Sequence, residues 1–167
     1  MTNTESSSGF KNRFMALAAE ESKKAVLNGD VPVGAVIVKD NKVIASSHNM
    51  REAQNDPTAH AEILAIRKAA EKLCKWRLSE CDIYVTLEPC PMCASAIIQA
   101  RLRRLYFGAY DKENGAASHN ANNLSWKNTE VYCGIDEDIC SRILTDFFAE
   151  SRKNNSFFSY FREKLCK

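Results

Sequence analysis

The chain has 167 residues, 45% of them hydrophobic and 26% charged, with a formal net charge of +2 at pH 7. That length predicts one ordinary domain with a real core and is too short for two comfortable ones, while the near-neutral charge neither demands nor excludes a nucleic-acid partner. The longest apolar runs, around VGAVIV and IYV, fall far below the roughly 20 residues of a bilayer-spanning helix, so no membrane segment is expected. The opening MTNTESSSG has no basic start followed by an apolar stretch, which argues against a secretory signal. Residues 1–8 read as a disordered polar tail ahead of a single domain over 9–167, and the expected location is the reducing cytoplasm, where free thiols persist.

In chain order, Ser8 is a candidate N-cap for a helix from about Phe10 to Asn28. Its proposed stripe is Phe10, Phe14, Leu17, Glu21 and Ala25, and Gly29 stops it. VPVGAVIVKD and KVIASSHN, joined at Asp40-Asn41, form a predicted β-hairpin. Asn55-Asp56-Pro57-Thr58 is turn chemistry, with Thr58 as the cap of a helix whose apolar stripe is Ile63, Ile66, Ala70 and Leu73. The strand DIYVTL follows, and Pro91 then suits the first position of the helix PMCASAIIQAR, where its missing N–H loses nothing. RLYFGAY is a further strand, residues 111–129 a long loop of the kind that is often functional, and EVYCG a last strand. Glu137 to about Arg152 and then SFFSYFREKLC read as helices. Helices alternating with strands predict an α/β fold, a three-layer α/β/α sandwich around a five-stranded sheet.

Seven cysteines are present. Cys90 and Cys93, in EPCPMCASA, form a Cys-x-x-Cys pair that by itself fits a redox couple, one corner of a structural zinc site, or two of three protein ligands of a catalytic zinc. They flank the first turn of a predicted helix, where unpaired N–H groups and the helix dipole favour the thiolate that zinc binds. Upstream, HAE places His60 and Glu62 at the start of the preceding helix, in position for His60 to bind the metal and for Glu62 to stand beside it. His60, Cys90 and Cys93 would leave a tetrahedral zinc one open position, and an open position means chemistry. A structural site would want a fourth ligand, but His48 and His119 have no partner at ligand spacing. The redox reading leaves His60 and Glu62 unused. Cys74, Cys81, Cys133, Cys140 and Cys166 read as packing residues or incidental surface thiols.

His-x-Glu followed by Pro-Cys-x-x-Cys resembles the signature of the zinc-dependent nucleobase deaminases, the cytidine and deoxycytidylate deaminase superfamily. More narrowly, DPTAHAEI, TLEPCPMC and FGAYDKENGAA resemble the bacterial tRNA-specific adenosine deaminases over about Phe10 to Arg152, although the first motif is shared with guanine deaminases. The resemblance implies a cytidine-deaminase-like fold with a mixed sheet, one Zn²⁺ on His60, Cys90 and Cys93, and Glu62 as proton shuttle. It further implies Asn49 hydrogen-bonded to the flipped base and a homodimer as the working unit. The expected reaction is hydrolysis of adenosine to inosine at the wobble position of a tRNA anticodon. The alternatives are deamination of guanine or another free base, and a non-catalytic zinc or redox protein. SHNANNLSWKNTEV replaces a longer family loop carrying an Asn-His pair; Trp126 there is either an aromatic surface for RNA or a tucked-in loop residue.

Substrate contacts are also expected from charge. Asp111 is a candidate acceptor for the ribose 2′-hydroxyl, with a turn aspartate as its plainer reading. Arg101, Arg103 and Arg104, and Arg152, Lys153, Arg162 and Lys164 near the C-terminus, are candidates for holding the phosphates of an anticodon stem-loop.

Overall fold

A computed structural model describes residues 10–117 and 124–153. The tail expected at 1–8, Ser8 with it, and the helix expected from Ser156 lie outside the described residues. The elements in order are α1 (Arg13–Leu27), β1 (Gly34–Lys39), β2 (Lys42–His48), α2 (Arg51–Gln54), α3 (Ala61–Lys72), β3 (Cys81–Leu87), α4 (Pro91–Gln99), β4 (Arg104–Ala109), β5 (Glu130–Tyr132) and α5 (Glu137–Lys153). No described helix is long and apolar enough to cross a membrane.

The strands form one mixed sheet in the order β2-β1-β3-β4-β5. β1 is antiparallel to β2 and β3, while β3, β4 and β5 run parallel. The β1–β2 hairpin turns at Asp40 and Asn41, both left-handed (φ 47° and 63°), a conformation these short polar side chains tolerate. β1 and β3 are buried on both faces, which is why they read as unbroken apolar runs rather than as alternation. Ala35, Ile37, Ile83, Val85, Leu105 and Phe107 pack under α3 and α4. Val36, Val38 and Tyr84 pack under α1 and α5 through Phe14, Met15, Ala18 and Cys140. This is the three-layer α/β/α sandwich.

Two helix faces differ from the expected stripes. α1 buries Phe14, Met15, Ala18, Ala19, Ser22 and Ala25, and Leu17 is 45% exposed. The helix runs close over Gly34, where an added Cβ would overlap the Ala18 carbonyl oxygen, so small residues face the sheet and the larger Leu17 is turned out. Asn12 is the N-cap, its Oδ1 accepting from the N–H groups of Phe14 and Met15 at 2.9 and 3.1 Å. α3 likewise buries the alanine row Ala61, Ala65 and Ala69 with Leu64, leaving Ile63 and Ile66 half-buried. A parallel neighbour needs a crossover; β3 reaches β4 through α4, whereas the described residues between β4 and β5, 110–117 and 124–129, contain neither helix nor strand.

Candidate metal and active site

Both motif helices start at the carboxyl end of the parallel strands, the end of an open α/β sheet where ligands bind. β3 ends at Leu87, and three residues later Cys90 is the N-cap of α4, with Pro91 as its first residue and Cys93 buried in the first turn. His60 is the N-cap of α3 and Glu62 lies in its first turn. Neither N-cap side chain makes a capping hydrogen bond; the imidazole and the thiol face each other instead. Sγ of Cys90 and of Cys93 lie 3.8 and 3.5 Å from Nδ1 of His60, and the three donor atoms all fall within 4.8 Å of one another. A tetrahedral ion bound by two sulfurs at about 2.3 Å and a nitrogen at about 2.0 Å has ligand–ligand edges of about 3.6 Å. One borderline nitrogen and two soft sulfurs at that spacing fit zinc.

Electrostatics favour the same assignment. Hydrogen bonding from Cys93, with help from His60, pulls the Cys90 thiol down to about 4 despite its burial. Cys93, which donates that bond, is pushed up, first by it and then by burial. His60 is raised by its bond to Cys90. Three donors are thus crowded around one space with a thiolate already favoured among them. Glu62 is 3% exposed, and burial pushes its carboxyl up to about 7. Its Oε2 is buried without a hydrogen-bond partner among the described residues, an arrangement that is unfavourable unless something polar docks there.

The two helix starts form the floor of a cavity of about 570 Å³, lined also by Asn49, Arg51, Tyr110, Asp111 and Asn114 and, from α5, by Leu144 and Phe148. A cavity of about 780 Å³ beside Lys11, Asp136 and Arg142 holds none of these groups. Asn49, at the end of β2 and 6% exposed, accepts the Ala61 N–H through Oδ1 at 2.9 Å. It therefore does the capping expected of Thr58, whose N–H and Oγ1 instead both bond Asp56 Oδ1 at 2.8 and 2.7 Å. With Oδ1 engaged, Nδ2 is the part of the amide available to a base. Asn49→Ala is expected to lower stability by about 1–2 kcal/mol, the size of a lost helix cap, as read from urea midpoints, and to raise KM as well.

Asp111 reaches the cavity, but its Oδ1 accepts the N–H groups of Glu113 and Asn114 at 3.1 and 2.9 Å, so the turn role is present. Arg101, Arg103 and Arg104 are at the opposite end of the sheet. β4 runs from Arg104 to Ala109 beside the site, about 17 Å at 3.3 Å per residue. Arg103 is spent on a two-point bond to Asp82, at 2.8 Å for each contact, and Arg104 on Glu130 at 3.1 Å. The basic residue at the mouth is Arg51, in a four-residue helix that no sequence pattern announced. Arg152 is exposed near the end of α5, and Arg162 and Lys164 lie outside the described residues.

His48 bonds Glu21 at 3.2 Å rather than joining the donor cluster, and His119 is outside the described residues. Cys81 and Cys140 are buried and Cys74 and Cys133 exposed, all as free thiols, while Cys166 is not among the described residues. Trp126 is tucked against the core under the α3/α4 layer rather than offered as a stacking surface. Leu144 and Phe148 were missed as lining residues; their signal lay in the apolar pairs Ile143-Leu144 and Phe147-Phe148 of α5.

A His-Cys-Cys donor set and a buried carboxylate at two helix starts, beside a mixed sheet, match the arrangement expected of a hydrolytic deaminase. Residues 10–152 match the model of the MafB19-like deaminases. The tRNA-specific adenosine deaminase of Agrobacterium fabrum strain C58 is 47% identical over 146 residues, which span 85% of this chain and 96% of that protein. A structure from a study of A-to-I editing by tRNA:A34 deaminases at the wobble position superposes with a TM-score of 0.74 at 47% identity, covering 78% of this chain and 98% of the other. The guanine deaminase of Bacillus subtilis superposes with a TM-score of 0.56 at 43% identity, over 59% of this chain and 65% of that one. The chain belongs to the MafB19-like deaminase family, among its tRNA-specific adenosine deaminases.

Proposed function

We propose that this chain hydrolyses adenosine to inosine at the wobble position of a tRNA anticodon, using one Zn²⁺ held by His60, Cys90 and Cys93. The observation that carries this reading is the unpartnered, buried Oε2 of Glu62 beside the three metal donors on the floor of one cavity. Bound there, zinc supplies a Lewis acid that lowers the pKa of water towards about 7. Glu62 takes a proton from the attacking water and hands it to ring nitrogen N1 as oxygen bonds to C6. It then carries a second proton to the amino group, which leaves as ammonia. Adenosine and water give inosine and ammonia. Asn49, anchored through Oδ1, donates Nδ2–H to the base, and Asp111, with Oδ1 committed to its turn, offers Oδ2 to the ribose 2′-hydroxyl. Arg51 at the mouth supplies a positive charge for a phosphate.

The tRNA substrate is supported by the relatives named above and by the chemistry of an anticodon loop, where a base leaves its stack at little cost. A homodimer in the cytoplasm completes the reading, and the exposed Met92 and Tyr110 near the site are the kind of surface a second copy would cover. Likeness to a guanine deaminase keeps that activity as the second reading. The test is release of ammonia and formation of inosine from an anticodon stem-loop, compared with free adenine, guanine and cytosine and with cytidine. Turnover of the stem-loop is expected, declining as salt rises through counterion competition. Rapid turnover of guanine with none on the stem-loop, indifferent to salt, would replace the first reading with the second.

A further inference from the structure

We propose that Glu88 is a positioning residue for substrate recognition, its buried carboxylate serving as the peg around which residues 111–117 are wound at the edge of the cavity. The proposal rests on the reading of the site given above, since that loop carries Asp111 and Asn114 to the cavity wall. Glu88 lies between the end of β3 and Cys90, is 2% exposed, and donates its own N–H to the Ala109 carbonyl at 2.8 Å. Its side chain spans the loop from end to end. Oε2 accepts the Asp111 N–H at 3.1 Å and Oε1 accepts the Ala117 N–H at 3.0 Å.

The intervening residues close on the same centre. Asp111 Oδ1 holds Glu113 and Asn114, the Asp111 carbonyl accepts the Gly115 N–H at 2.9 Å, and the Pro89 carbonyl accepts the Ala116 N–H at 3.0 Å. Gly115 lies so close to the carboxylate that an added Cβ would overlap Cδ and Oε2 of Glu88, and the Asp111 carbonyl oxygen with them.

The residue type follows from this arrangement. Two backbone N–H donors converge from opposite ends of this stretch, and the two oxygens of a carboxylate side chain can accept one each. Glutamine would turn an NH₂ towards one of those N–H groups. Because Glu88 is covalently two residues from Cys90, the wall that meets the ribose and the neighbouring nucleotide is held in register with the metal donors on the floor. Position of the substrate, rather than the chemical step, is what Glu88 governs.

The test compares Glu88→Gln and Gly115→Ala in the full-length, zinc-loaded chain. Amide exchange across 111–117, at Asp111 and Ala117 above all, is expected to quicken at least about 10-fold in both variants, the size of one lost hydrogen bond. Exchange in α3 and α4 and a content of one zinc per chain are expected to hold. KM for the stem-loop should rise about 10-fold with kcat within about 3-fold, and the double variant should be worse than either single one by less than the sum of the two, because both disturb the Glu88 contact. Unchanged loop exchange, unchanged KM, or zinc and kcat lost together in a Glu88→Gln chain that is folded would overturn the proposal. Gly115→Ala keeps the carboxylate and decides the matter if Glu88→Gln does not fold. The exchange measurement needs no substrate, so it judges the peg even if the wild-type chain proves inactive on the stem-loop, an outcome that would instead defeat the functional reading.

Discussion

Glu62→Ala is expected to fold, to keep its zinc, and to lose at least about 10²- to 10⁴-fold in kcat, the range typical of a missing general acid/base. Metal retention is expected because Glu62 is not among the three donors whose atoms converge. Stability should hold or rise slightly, since the substitution removes a buried oxygen with no partner. Metal analysis, a melting curve and steady-state kinetics on one preparation separate these effects. Substantial residual turnover, or zinc lost with the carboxylate, would end the proton-shuttle assignment. A Cys90/Cys93 redox couple makes the opposite forecast, with Glu62 dispensable and a measurable disulfide potential.

Cys93→Ala is expected to remove metal, activity and part of the stability together. Cys93 is fully buried in the first turn of α4, and the ion proposed to bind there would bridge that helix to the start of α3. An ion present at 1,000 times its dissociation constant contributes about 4 kcal/mol to the folded state, so wild type stripped by a chelator should melt close to the variant. Cys90→Ala should behave in the same way, as the half-buried N-cap donor. A variant that retains one zinc per chain would show that the donor set has been misassigned.

That His60, Cys90 and Cys93 meet was legible because each sits at a helix start announced locally, by Pro91 in one case and by the turn residues before His60 in the other. β1 and the Asp40-Asn41 hairpin were legible for the same reason, since apolar runs and turn residues are local signals. What was hidden depends on distance along the chain. Nothing within a few residues of His60 shows that its helix is capped by Asn49, twelve positions before the Ala61 N–H that it accepts. The stripe of α1 was misread at Leu17 because close approach at Gly34 favours alanines over larger apolar residues, a demand made by the opposing strand. Arg101, Arg103 and Arg104 looked available for RNA until the sheet carried them to its other end and Asp82 and Glu130 claimed the last two. The contribution of Leu144 and Phe148 could not be seen because they reach the cavity from the other layer.

The floor and the wall of the cavity belong to different stretches of the chain: every metal donor precedes α4's second turn, whereas α5 is the last described element. On the ribosome, where chains emerge N-terminus first, α1 to α4 with β1 to β3 are complete before α5 has been synthesised. A nascent chain can thus acquire its ion while the side of the cavity that Leu144 and Phe148 will close is still open to solvent. Loading the metal and enclosing the substrate become successive events in biosynthesis, and a ribosome-bound fragment ending before Glu137 should already retain zinc.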